Sequence, residues 1–164
     1  MTAASAHHLA QLNIGAPRFR VEDPRMYGFM SQLDAINALA EASPGFVWRL
    51  VGDGTNDATG LREPRLGSQM VNLSVWESHE ALRDYVYRSG HLDQLRRRAE
   101  WFELPTQAHL VLWWVPAGHI PDLSEAVDRL ELLREQGPTP AAFTLRHFFA
   151  VGAEAADPSP ESVR

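Results

Sequence analysis

QMVNLSVWESHEALRDYVYRSGHLDQLRRRAEWF, residues 69–102, holds a strand, a turn and two helices in succession. Its first part alternates with period two: Val71, Leu73 and Val75 form a uniform apolar face, and Met70, Asn72, Ser74 and Trp76 a mixed one. Ser78 is placed to cap a helix running to about Arg88, which Ser89-Gly90 breaks. A second helix is predicted over 91–103. It sets His91, Leu95, Arg98 and Phe102 on one face, at steps of four, three and four. A histidine and an arginine two turns apart on an apolar face supply a proton acceptor and an anion-stabilising donor. In the structural alternative His91 tethers the break and Arg98 pairs with Glu77 or Glu103. Arg96 and Arg97 read as a solvated face.

Outward from this stretch the same patterns recur. Residues 7–14 form a strand with Leu9, Gln11 and Asn13 on one side and His8, Ala10, Leu12 and Ile14 on the other. Asp23-Pro24 starts a helix whose apolar stripe is Phe29, Leu33, Ile36 and Ala40, and Ser43-Pro44-Gly45 ends it. Residues 46–51 form a strand, with Phe46, Trp48 and Leu50 facing one way and Val47, Arg49 and Val51 the other. The glycine-rich loop 52–67 is a candidate lid. A last strand covers 109–115 and stops at Pro116. Strand–helix–strand–strand–helix–strand is the ferredoxin-like split βαββαβ pattern, an α+β fold. An extra C-terminal helix starts at Pro121-Asp122, with Leu123, Val127, Leu130 and Leu133 along one side, and Gly137-Pro138 ends it. An added strand is predicted over 143–150. The domain organisation is therefore an N-terminal tail 1–6, one domain over 7–150 and a disordered tail 151–164. Both strand faces carry large apolar residues, Trp113 and Trp114 being consecutive. The face without helices is expected to pack on a second subunit, giving a homodimer.

With 164 residues there is room for one domain with a real core. No cysteine is present, which excludes disulfides, thiolate nucleophiles and cysteine-held zinc or iron–sulfur groups. All 15 basic residues are arginine, so lysine Schiff-base chemistry and a Walker lysine are excluded too. A net charge of −6 argues against nucleic acid and against an anionic membrane as partner. No apolar run is long enough to span a bilayer, and the N-terminus lacks the features of a signal peptide, so a cytoplasmic location is expected.

The mixed strand faces are the place to look for a ligand. Gln11 and Asn13 are expected near Asn72 and Ser74, and buried amides left unpaired cost about 1–3 kcal/mol each. Either they satisfy one another, or they form a pocket wall flanked by Trp48 and Trp76. His119, in the loop after the last strand, is a candidate for the pocket mouth. No histidines and carboxylates show a dedicated metal spacing, so no metal is assigned. The nucleophile elbow, the dinucleotide loop and the phosphate loop are all missing.

Several blocks together resemble a bacterial family known as domain of unknown function 3291. They are His8-Leu9-Ala10-Gln11-Leu12-Asn13, Ile36-Asn37-Ala38-Leu39-Ala40-Glu41, Ser43-Pro44-Gly45-Phe46-Val47-Trp48-Arg49-Leu50, Asn72-Leu73-Ser74-Val75-Trp76-Glu77-Ser78, Arg97-Arg98 with Trp101-Phe102, Trp113-Trp114-Val115-Pro116-Ala117-Gly118-His119, and Gly137-Pro138-Thr139. The resemblance implies the dimeric α/β-barrel superfamily, which includes cofactor-independent antibiotic-biosynthesis monooxygenases and haem-degrading oxygenases. It also implies a pocket between sheet and helices, into which Asn72, Trp76 and His91 would project. The expected function is a small cofactor-independent monooxygenase acting on an aromatic or polyketide-type molecule. Trp48, Trp76 and Trp114 would sandwich the substrate, with Gln11, Asn13 and Asn72 orienting it. Arg49 or Arg98 would stabilise an enolate or phenolate, with His91 as base. The alternatives are a haem protein with His91 or His119 as axial ligand, and a non-catalytic small-molecule-binding dimer.

Overall fold

β1, His7–Gly15, runs through the middle of a four-stranded antiparallel sheet. It pairs with β3, Met70–Trp76, on one side and with β4, Leu110–Pro116, on the other. β2, Phe46–Arg49, completes the order β2-β3-β1-β4. That is the ferredoxin-like order predicted by the sequence of elements. The computed structural model describes residues 5–88 and 91–154, and for 91–95 the backbone alone. The expected break at Ser89-Gly90 and most of the expected C-terminal tail lie outside the described residues.

The helices are α1, Tyr27–Met30, α2, Leu33–Ala42, α3, His79–Arg88, α4, His91–Trp101, and α5, Leu123–Gln136. The single helix expected after Asp23-Pro24 is divided into a 3-10 turn, Pro24–Met26, then α1, then α2. Asp23 caps that turn by accepting from the Arg25 amide at 2.9 Å. Ser78 likewise accepts from the Ala81 amide at 3.1 Å to start α3.

One sheet face carries Ala10, Leu12, Ile14, Val71, Leu73, Val75, Val111, Trp113 and Val115, all buried. Ala126, Val127, Leu130 and Leu133 of α5 pack onto it. The cover expected from a second subunit is thus supplied within the chain. Val127, Leu130 and Leu133, buried there, each contribute about 1.5–3 kcal/mol, more than an exposed helix face could return.

Two further expectations change. The loop 52–67 is pinned rather than free to act as a lid. Leu61 and Leu66 pack on the α5 side, and Arg65 bonds Glu63 at 2.9 Å and Asp128 at 2.6 Å. The strand predicted over 143–150 is reduced to one bridge, Leu112 with Phe143. A turn follows at once, in which the His147 amide donates to Thr144 Oγ1 at 3.0 Å. That turn takes up the amides a ladder would need.

Candidate functional site

The other sheet face, with Gln11, Asn13, Asn72, Ser74 and Trp76, looks toward α1–α4 across a cavity of about 200 Å³. The α1–α2 stripe Phe29, Leu33, Ile36 and Ala40 lines it, as do Tyr85 of α3 and Trp101 of α4. The stripe therefore serves a cavity rather than a closed core. Phe46, Trp76 and Tyr85 form one aromatic wall: Trp76 stacks on Tyr85 at 5.0 Å and meets Phe46 edge-on at 5.4 Å. Burial pushes the Tyr85 hydroxyl up to about 12, so it stays protonated at neutral pH.

The floor is a hydrogen-bonded row. Gln11 Nε2 donates to Asn72 Oδ1 at 2.6 Å and to Ser74 Oγ at 2.8 Å. Ser74 Oγ also accepts from Trp76 Nε1 at 2.9 Å. Both lone pairs of that hydroxyl are in use, so its own proton is left to donate. Asn72 is the exposed member of β3, and it opens onto the cavity. Asn13 Oδ1 is buried with no hydrogen-bond partner.

Arg98 closes one end. Its Nη2 donates to Ile14 O at 2.8 Å, and its guanidinium lies 5.0 Å over the Phe102 ring. Its Nε is buried without a partner. Desolvation lowers its pKa, and no carboxylate among the described residues pairs with it. Gly15 makes this approach possible: a Cβ there would stand 2.8 Å from Arg98 Nη2 and 2.8 Å from Phe102 Cδ1.

Of the residues singled out in the sequence, Gln11, Asn13, Asn72, Trp76, Arg49 and Arg98 line the cavity. Arg49 is already engaged, with Nε on Glu41 Oε1 at 2.8 Å and Nη2 on Asn56 Oδ1 at 2.8 Å. It is a neutralised wall residue, whereas Arg98 has no carboxylate partner among the described residues. The His91 side chain lies outside the described residues.

Three candidates are displaced. Trp48 packs on the α5 side, because a bulge between Phe46 and Trp48 sets Trp48 opposite Val75 and Arg49 opposite Ser74. One extra residue reverses the alternation beyond it. Trp114 shares the cavity's sheet face but is capped by the C-terminal segment, its Nε1 donating to Phe149 O at 2.9 Å. His119 sits with α5, its Nε2 2.7 Å from Glu125 Oε2, away from the cavity and from any ligand there. The expected tryptophan sandwich is replaced by Phe29, Phe46, Trp76, Tyr85, Trp101 and Phe102. Of these, Phe29 was legible as a helix stripe, and Trp101-Phe102 as part of the family resemblance.

The family described as Domain of unknown function (DUF3291) matches residues 8–158. The chain belongs to it. The match extends over every described strand and helix except the first residue of β1, so the DUF3291 domain includes α5 and the cavity. Among solved structures, the chain is similar to SnoaB, a cofactor-independent oxygenase from Streptomyces nogalater. Identity is 19%, with 71% of this chain and 100% of that one covered, at a TM-score of 0.45. It is also similar to Rv0793 from Mycobacterium tuberculosis, at 17% identity with 71% and 98% covered and a TM-score of 0.45. MupZ from Pseudomonas fluorescens follows at 14% identity, with 92% and 93% covered and a TM-score of 0.39. No curated protein matches this DUF3291 chain. No helix among the described residues is long and apolar enough to cross a membrane.

Proposed function

We propose that this chain is a small oxygenase-type enzyme that works without a metal or organic cofactor on an aromatic or polyketide-type molecule held in the cavity. The observation that carries the reading is Arg98, a largely buried guanidinium at an aromatic-walled cavity with no carboxylate beside it among the described residues. A desolvated charge of this kind is costly unless something answers it. A developing enolate or phenolate oxygen does so, and in a low-dielectric cavity the stabilisation is large.

The chemistry is balanced without further reagents. A base removes a proton from an activated CH₂ of the substrate, and Arg98 holds the charge on the conjugated oxygen. Dioxygen adds at carbon, and loss of water from the hydroperoxide leaves a carbonyl: R₂CH₂ + O₂ → R₂C=O + H₂O. His91, on the same helix as Arg98, is the residue assigned as base. Gln11, Asn72 and Ser74 orient the substrate from the floor.

Oxygen uptake with a panel of hydroxylated naphthalenes and 2-tetralones tests it. Turnover is expected from the native chain, with kcat falling on the order of 10²–10³-fold in Arg98→Met. His91→Ala is expected to lose turnover and keep affinity. Saturable binding of the panel with no oxygen uptake by the native chain would convert the enzyme into a binding module.

A further inference from the structure

Among the described residues, two buried groups on the cavity lining are left without partners, and they are of opposite kinds. Arg98 Nε is a donor without an acceptor, and Asn13 Oδ1 is an acceptor without a donor. They are close neighbours in the fold. Arg98 Nη2 bonds the carbonyl of Ile14, the residue next to Asn13, and would meet a Cβ on Gly15 at 2.8 Å. Asn13 and Gly15 are two apart along β1, on one sheet face, about 7 Å from Cα to Cα. Buried polar groups are nearly always paired, so an orphaned pair at a cavity marks what the ligand brings.

A carboxylate alone offers only acceptors and leaves Asn13 unanswered. A phenol alone offers a hydroxyl and leaves the charge of Arg98 unanswered. We infer that the substrate presents two neighbouring oxygens, an anionic one to Arg98 and a hydroxyl to Asn13, as in an ortho-hydroxy aromatic acid. The cavity, at about 200 Å³, is below the roughly 300–1,000 Å³ of drug-sized sites, which sets the size at about two fused rings. This assignment rests on the reading of the cavity as the substrate site and adds the recognition elements within it.

Three matched ligands, 3-hydroxy-2-naphthoate, 2-naphthoate and 2-naphthol, separate the two oxygens by calorimetric titration of the full chain. The hydroxy acid is expected to bind tightest, by about tenfold over either single-oxygen analogue. Arg98→Met, which keeps the apolar stem on Phe102, should erase the advantage of both acids over 2-naphthol. Asn13→Leu, close in volume, should make the hydroxy acid no better than 2-naphthoate. Asn13→Asp should turn the preference toward 2-naphthol by placing a second anion beside the first. Equal affinity for all three ligands in the native chain would overturn the inference, as would variants that weaken all three alike. The binding pattern without oxygen uptake would keep this subsite and remove the oxygenase reading. Oxygen uptake from 2-naphthol-type substrates that is undiminished in Asn13→Leu, with no preference for the hydroxy acid, would remove the subsite and keep the oxygenase.

Discussion

Gly15 is small because Arg98 and Phe102 need its space. Gly15→Ala would place a methyl at 2.8 Å from both side chains. The expected cost is about 1–3 kcal/mol of overpacking, read as a lowered midpoint in thermal melts, together with weaker ligand binding as Arg98 is pushed aside. Histidines give a pH dependence. Burial holds His109 below the usual imidazole range, with Arg98 and Arg134 adding to the effect and a bond to the Gln107 backbone opposing it. Burial also holds His79 low, with Arg83 adding to it and Glu80 opposing. As pH falls, such a histidine is protonated in the unfolded chain before it is protonated in the folded one. The unfolded chain then binds more protons, so this contribution to stability is lost as pH drops below about 6.5. Thermal midpoints measured from pH 7.5 to pH 5 should fall less steeply in a His79→Gln/His109→Gln variant than in the native chain; equal slopes would count against the assignment.

The elements obey local rules where local chemistry decides. Asp122 caps α5 by accepting from the Glu125 amide at 2.8 Å, and Gly137, at φ 71°, ends it. Asp122→Ala should cost about 1 kcal/mol, the usual worth of a lost N-cap, measurable by urea unfolding with an unchanged m-value. The helix stays in place in that variant because its inner face remains buried. β2 shows where local rules fail. Strict alternation puts Trp48 beside Phe46, but the bulge puts Arg49 beside the cavity instead. The C-terminal segment fails as a strand for a similar reason, since its turn at 144–147 and the Trp114 bond to Phe149 satisfy it without a ladder.

At the scale of the molecule, α5 is the decisive addition. It seals the sheet face opposite the cavity, with Leu130 fully buried against the strands. Leu130→Asp buries an unpaired charge in a core site and should destabilise by several kcal/mol. That loss should be the same across a hundredfold range of protein concentration, because the contact is within one chain. A destabilisation that shrank with rising concentration would mean the face is shared between copies.

Strand order, most helix ends and the mixed face carrying Gln11, Asn13, Asn72 and Ser74 were legible in the sequence. Those follow from alternation, helical spacing and capping, which act over a few residues. The folded chain alone shows that Arg98 has no carboxylate partner among the described residues while Arg49 is neutralised by Glu41, and that Trp48 and His119 face away from the cavity. It alone placed α5 over the sheet. Those outcomes depend on strand register, on one inserted residue in β2 and on contacts between segments far apart in the chain. Periodicity in a single sequence carries no record of such pairings.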